Sequence, residues 1–419
     1  MYHFLRQERN PDMMELLAPA GGMGQLRAAL RFGADAVYGG LRRFGLRASA
    51  DNFGPEELAE ALRLVHGAGK RFYLTLNILP HDEEMEDLVR DAARARELGV
   101  DAAIVSDLGA FSLLRQRVPE LPLHVSTQAN IMNAAAARVW TDLGAARIVL
   151  SRELSLEQIA ALRRQLPGKV ELEAFVHGAM CMAHSGRCML SDYLTGRGAN
   201  RGACTQPCRW EYTVLEAKRP EEPLPVLEDE RGTYIFSAYD LNMLEHLPEM
   251  REAGIASLKI EGRMKTDYYV AVVTRAYRAA LDALEQSEKA YREALPELRE
   301  ELDKASHRVS NTGFYLGAPQ PSSGAGHTTQ TMQYVGRVLG TREGWLRIEI
   351  KNRIDAGDRL ELLSPGGVQE LTVSRILRED TGEEVSRATV AGQRILIPAP
   401  FPAEKGDYLR KPYADPARR

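Results

Sequence analysis

Along the first two-thirds of the chain the hydrophobic positions fall in short runs set between stretches of helical periodicity. A helical stretch repeatedly closes on a glycine, and an apolar run follows. Gly33 precedes Ala36-Val37-Tyr38, Gly99 precedes Ala103-Ile104-Val105, Gly144 precedes Arg147-Ile148-Val149-Leu150, and Gly254 precedes Ser257-Leu258-Lys259-Ile260. Glycine there supplies the left-handed cap that ends a helix, and the run after it reads as a strand buried on both faces. Four further runs, at residues 15–20, 71–77, 122–127 and 172–177, bring the set to eight. Helices are predicted between them. Residues 55–66 open with proline and place two glutamates near the positive helix end; residues 83–98 are acidic first and arginine-rich later; residues 155–165 begin with serine. Strands alternating with helices over residues 13–265 predict parallel βαβ units. Eight strands in ~250 residues predict a (β/α)8 TIM-like barrel. An open doubly wound sheet is the alternative, weakened because no G-x-G-x-x-G opens a helix after the first strand.

The pattern changes downstream. Residues 266–288 form a long amphipathic stretch whose aromatic stripe reads as core packing. The expected organisation is a barrel over 13–290 that carries a special segment at 174–212, a helix end and linker over 291–331, and a small β-barrel module over 332–414. The last assignment rests on alternating runs such as WLRIEIKN, separated by Gly-Asp and Pro-Gly-Gly turns.

Composition narrows the class. Of 419 residues, 44% are hydrophobic and 27% charged, as in ordinary globular proteins. No run approaches the ~18 apolar residues of a membrane span, so no membrane partner is expected. Residues 1–12 are polar and lack the apolar core of an export signal, so a cytoplasmic, reducing location is expected. The net charge of −4 means that any contact with RNA must come from a local basic patch.

The four cysteines, Cys181, Cys188, Cys204 and Cys208, lie within 28 residues of one another. In a reducing compartment such clustering points away from disulfides. The intervening gaps are six, fifteen and three residues, whereas structural zinc sites usually use two-residue knuckles. Irregular spacing suits a [4Fe–4S] cube, whose corners face different directions. Zinc and unligated thiols are the other readings. The same segment carries Arg187, Arg197, Arg201 and Arg209 against a single Asp192, a positive run suited to an anionic centre, a phosphate or a carboxylate. The ordinary alternative for each arginine is a solvated loop position.

In barrels of this kind working residues stand at the strand C-termini. Reading them off gives Tyr38, Asn77, Ser106, Asp107, Ser126, Gln128, Arg152 within 151–153, His177, Glu261 and Arg263. Three are nominated as catalytic. His177 ends an apolar strand four residues before Cys181 and suits a proton donor or a partner of the cluster. Arg263 suits a carboxylate clamp oriented by Glu261. Arg152 joins the four loop arginines as a substrate-binding candidate. Neither H-E-x-x-H nor G-x-S-x-G is present.

Several long motifs carry a resemblance. ELLAPAGG, GADAVYGG with FGLRA, EAFVHGAMCMAHSGRCMLSDYL and NRGACTQPCRWEY resemble the collagenase-like peptidase family of unassigned mechanism, U32-type, over most of residues 13–320. The cysteine-bearing ending and the appended β-module look most like its tRNA 5-hydroxyuridine branch. This resemblance implies a TIM-like fold and a prephenate-dependent hydroxylation of tRNA wobble uridine, with a second family member as a possible partner. It also implies a [4Fe–4S] cluster on Cys181, Cys188, Cys204 and Cys208. Relatives that hydroxylate a ribosomal cytidine or the ubiquinone ring keep other oxygen-independent hydroxylations in view, and the family's name keeps a peptidase in view. A non-catalytic role, with the cluster as a staple, is the third expectation.

Overall fold

The computed structural model describes residues 13–45, 50–181, 183–185, 187–210, 227–229, 232–234, 239–317 and 328–413. Eight parallel strands close on themselves: β1 (Glu15–Pro19), β2 (Ala36–Gly40), β3 (Arg71–Leu76), β4 (Ala102–Val105), β5 (Leu123–Val125), β6 (Arg147–Val149), β7 (Glu171–Ala179) and, after a short β8 (Asp240–Asn242), β9 (Ser257–Ile260). The pairing of β9 with both β1 and β7 completes the barrel. Each of the eight predicted runs supplies one of these strands. Gly33, Gly99, Gly144 and Gly254 all take positive φ, between 82° and 103°, as their capping role requires. The helices α1 (Met23–Arg31), α2 (Pro55–Gly67), α3 (Met85–Leu98), α4 (Leu108–Arg117), α5 (Ala134–Asp142) and α6 (Leu156–Arg163) follow successive strands; the short α7 (Leu190–Thr195) comes after β7 and α8 (Leu247–Glu252) precedes β9. They share one apolar layer with the outward faces of the strands.

The inside of the barrel is different. Leu17, Ala36, Tyr38, Tyr73, Ala102 and Ile104 form a small separate cluster there. Below it, at the strand N-termini, the filling is charged. Arg147 is 1% exposed and donates from Nη1 to Glu15 at 2.6 Å and to Glu173 at 2.9 Å. Ser257 and Tyr73 donate to the same Glu15 carboxylate. This layer closes the lower end of the barrel.

One irregularity decides the upper end. Lys259 of β9 pairs with Phe175 and Ile260 pairs with His177, so β7 holds an extra residue at Val176. Such a bulge reverses the alternation of side chains beyond it. Past the bulge, β7 runs on antiparallel to β8.

Downstream, α9 (Asp267–Gln286) is followed at once by α10 (Glu288–Asp303), where a polar helix end and linker were expected. Ser287 caps α10 by accepting from the Ala290 amide at 3.0 Å, and Tyr291, Leu298 and Leu302 bury its inner face. The C-terminal module is antiparallel. Its main sheet runs, in spatial order, 367–372, 359–364, 408–412, 332–342, 345–350, 394–398, 376–378 and 384–385, around a core of its own. Arg410, fully buried, joins the module to α10 through Glu301 at 2.7 and 2.8 Å, and Tyr268 stacks on Tyr334 at 5.2 Å.

Candidate active site

The C-terminal ends of the strands surround a cavity of about 170 Å³. From the barrel come Tyr38, Thr75, Asn77, Ser126, Gln128, Arg152, Phe175, Lys259, Glu261 and Arg263; from the loop after β7 come His184 and all four cysteines. The cysteines therefore face the same space as the strand ends, although 28 residues of irregular chain carry them.

Cations dominate the floor. Lys259 lies over the Tyr38 ring at 4.3 Å and donates to Glu173 at 2.8 Å. Burial pushes its pKa down, and the attraction of Glu173 only partly offsets that. Arg263 donates to Thr75 Oγ1 at 3.0 Å and to Asn52 Oδ1 at 2.6 Å. It passes so close to the end of β2 that a Cβ on Gly40 would stand 2.5 Å from its Nη2. Gly40, at the end of β2, is thus a condition for this arginine's place. Arg152 lies 3.8 Å over the Phe175 ring and donates to the Ala179 carbonyl at 2.8 Å.

The cysteine loop is held by its own contacts. Ser191 Oγ, at the start of α7 (Leu190–Thr195), donates to the Arg197 carbonyl at 2.7 Å and accepts from the Thr205 amide at 3.0 Å. The amide of Gln206 points at Cys204 Sγ, 3.4 Å away. Arg201 ties the loop to the barrel by donating to both oxygens of Glu84, at 2.7 and 3.0 Å, and to the Leu79 carbonyl at 3.2 Å. The guanidinium holds the Glu84 carboxyl down at about 2.

Among the described residues no group of three or more His, Cys, Asp or Glu side chains is arranged to hold a single metal ion. Four thiols that line one cavity, beside cations able to offset negative charge, supply the number of sulfur donors that a [4Fe–4S] cluster takes. Cys181 and Cys204 are exposed and Cys188 and Cys208 half-buried, so all four lie within reach of solvent.

The nominated residues divide. Glu261 and Arg263 reach the cavity. His177 does not: the bulge at Val176 turns its ring away from the mouth, into the layer behind the barrel. There it faces Tyr277, whose hydroxyl is 3.4 Å from Nδ1, and Tyr269, and burial pushes its pKa down to about 4. Arg152 also lines the cavity, where it is 7% exposed. Arg201 is spent on Glu84. Arg187 and Arg197 are exposed on the loop, and the side chain of Arg209 lies outside the described residues. Lys259 was not nominated. Its signal was parity, since Ser257 and Lys259 are the alternate, polar positions of a strand whose Leu258 and Ile260 pack outward.

Peptidase family U32 matches residues 21–324, and the family's C-terminal domain matches residues 330–410. The chain belongs to peptidase family U32. It is similar to tRNA hydroxylation protein P of Escherichia coli (strain K12), with 37% identity covering 92% of this chain and 94% of that protein. A 23S rRNA 5-hydroxycytidine synthase of the same organism is 34% identical over 89% of this chain and 56% of its own length. A protein named collagenase, from Porphyromonas gingivalis, is 34% identical, covering 96% of this chain and 98% of that one. The proteins this chain resembles thus include ones named for RNA hydroxylation and one named collagenase. Among the described residues no helix is long and apolar enough to cross a membrane.

Proposed function

We propose that this U32 protein is an iron–sulfur RNA-modifying enzyme that hydroxylates a tRNA wobble uridine to 5-hydroxyuridine, with prephenate as co-substrate. The observation that carries the reading is the meeting of four cysteines with Lys259, Arg152, Arg263 and Glu261 around one barrel-mouth cavity. The similarity to tRNA hydroxylation protein P over nearly the whole chain supports the RNA class of substrate.

In this reading Cys181, Cys188, Cys204 and Cys208 hold a [4Fe–4S] cluster. When bound, the cluster supplies redox chemistry at the mouth. The protein's own part is placement. Arg263 presents a guanidinium, fixed by Thr75 and Asn52, to a carboxylate. The target base leaves its stack and enters the mouth, the general solution for chemistry on a base. Tyr193 (86% exposed) and Trp210 (41%) stand on the cysteine loop with Arg187 and Arg197, a mixture suited to unpaired bases and their phosphates.

The test is genetic and analytical. Removing the gene, together with any second family member, is expected to abolish 5-hydroxyuridine and its derivatives in tRNA hydrolysates read by mass spectrometry. The wild-type gene restores them and Cys208→Ser does not. Anaerobically purified protein is expected to carry about four irons and four sulfides. Unchanged nucleosides, together with gelatin cleavage by iron-free protein, would establish the peptidase reading instead.

A further inference from the structure

Several neutral polar side chains line the cavity, and some are fully engaged. Tyr38 donates to the Ile260 carbonyl at 2.8 Å. Thr75 donates to the Gly39 carbonyl at 3.1 Å and accepts from Arg263. Gln128 differs. It lines the cavity, half-buried, and its side-chain amide makes no hydrogen bond among the described residues.

The backbone that carries this amide is held from several sides. Gln128 sits in the single 3-10 turn Thr127–Ala129 that follows β5. Its N–H donates to Ser126 Oγ at 3.4 Å, and its carbonyl accepts from Asn130 Nδ2 at 2.8 Å. Thr127 Oγ1 ties the turn to the Leu150 carbonyl at 2.8 Å. Asn130 closes the turn at a φ of 52°, in the left-handed region that asparagine tolerates better than most residues. The same Nδ2 donates to the Ser185 carbonyl at 3.4 Å. Ser185 lies between Cys181 and Cys188, so Asn130 sets the Gln128 turn against the cysteine loop. A fixed turn thus presents an amide with both its donor and its acceptor open. With no internal bond to break, that amide exchanges water for a ligand's edge at little cost.

A primary amide offers a donor and an acceptor side by side, the arrangement that pairs with the edge of a base. The chemistry of uracil limits which edge that is. N1 carries the ribose and faces the exit. C5 gains the oxygen and faces the cysteine loop. The N3–H and its flanking carbonyls remain for recognition.

We infer that Gln128 reads the N3–H edge of the flipped uracil, accepting from N3–H through Oε1 and donating to a flanking carbonyl through Nε2, with Asn130 as its positioning residue. The inference rests on the reading of the protein as a tRNA wobble uridine hydroxylase and adds the side chain that recognises the base.

The experiment measures binding of anticodon stem-loop RNAs to the full-length, cluster-loaded protein by fluorescence anisotropy. One RNA carries uridine at the wobble position and the other N3-methyluridine, which lacks the donor. Wild-type protein is expected to prefer uridine by about ten- to hundredfold, the worth of one bidentate base contact. Gln128→Leu is expected to lose that preference and to bind the two RNAs within about twofold of each other. Asn130→Gly keeps the left-handed turn but loses both bonds from Nδ2, and its preference is expected to fall between the two. Thermal melts confirm that each variant is folded. In a strain deleted for the gene and any second family member, complementation with Gln128→Leu is expected to yield at least tenfold less 5-hydroxyuridine than wild type. Wild-type protein indifferent to N3-methylation, or a Gln128→Leu variant that still discriminates, overturns the inference. If the deletion strain keeps its 5-hydroxyuridine while the purified protein still discriminates through Gln128, the functional reading fails and the base recognition stands. If the deletion abolishes 5-hydroxyuridine and Gln128→Leu restores it in full, the functional reading stands and the inference fails.

Discussion

Replacing Arg147 by methionine tests the charged layer on which the site is built. Its guanidinium is 1% exposed and joins Glu15 and Glu173, themselves 1% and 0% exposed, and also the more exposed Glu171. Methionine keeps much of the volume but takes the guanidinium from Glu15, which is left with Arg71 at 3.7 Å, while Glu173 keeps Lys259 at 2.8 Å. Breaking a buried pair in this way costs about 3–5 kcal/mol. With a urea slope of about 3 kcal/mol/M, that lowers the unfolding midpoint by about 1–1.7 M. Adding Glu15→Gln removes one orphaned charge; Tyr73 and Ser257 donate to different oxygens of that carboxylate, so one of them keeps its acceptor and the other hydroxyl can accept from the new amide NH2. The double variant is therefore expected to regain about 1–2 kcal/mol, a coupling in the range for residues of one network. Lys259 responds too. Arg147 helps, after burial, to hold its pKa down, so Arg147→Met is expected to raise it. A loss below about 1 kcal/mol with no rescue by Glu15→Gln would refute the idea that this layer is dry and mutually neutralised.

Three further outcomes follow from the site. Arg201→Ala frees the cysteine loop from Glu84; the lost surface pair is worth about 1 kcal/mol or less, but iron content after anaerobic reconstitution is expected to fall at least twofold. Because the folded state holds the Glu84 carboxyl at about 2, below its ordinary 4.5, this tether is fully present above pH 4.5 and fades as pH falls toward 2, which melts at graded pH will read as a wild-type difference that vanishes in the variant. Gly40→Ala puts a methyl group against Arg263 Nη2 and Thr75 Oγ1; it is expected to weaken prephenate binding at least tenfold, with an overpacking cost of about 1–3 kcal/mol in denaturation. His177→Gln is expected to leave 5-hydroxyuridine levels within about twofold of wild type in complemented cells while costing about 1 kcal/mol of stability; a collapse of modification in a stably folded variant would return this histidine to the chemistry.

The proposed site was legible in pieces. Glu261 and Arg263 were marked by position, because residues just past apolar runs stand at strand exits, and both reach the cavity. Arg187, Arg201 and Arg209 looked alike in the sequence. Arg201 was singled out by Glu84, a partner 117 residues away whose approach only the folded loop creates. Lys259 sat in plain view within a strand run, but a lone lysine among Ser257, Leu258 and Ile260 reveals its direction only when the strand's inward face is known.

By itself the sequence determined the eight strands, the helices' glycine ends and the order of the layers, because apolar runs and caps act over a few residues and need no distant partner. It also determined that sulfur chemistry is confined to one segment. Tertiary structure alone decided which side chains share the cavity. The extra residue at Val176 sends His177 behind the barrel while Phe175 and Lys259 stay within it. That choice is made by pairing between β7 and β9, strands separated by some eighty residues of chain. Side-chain direction on a strand is a property of register, and register belongs to the pair of strands.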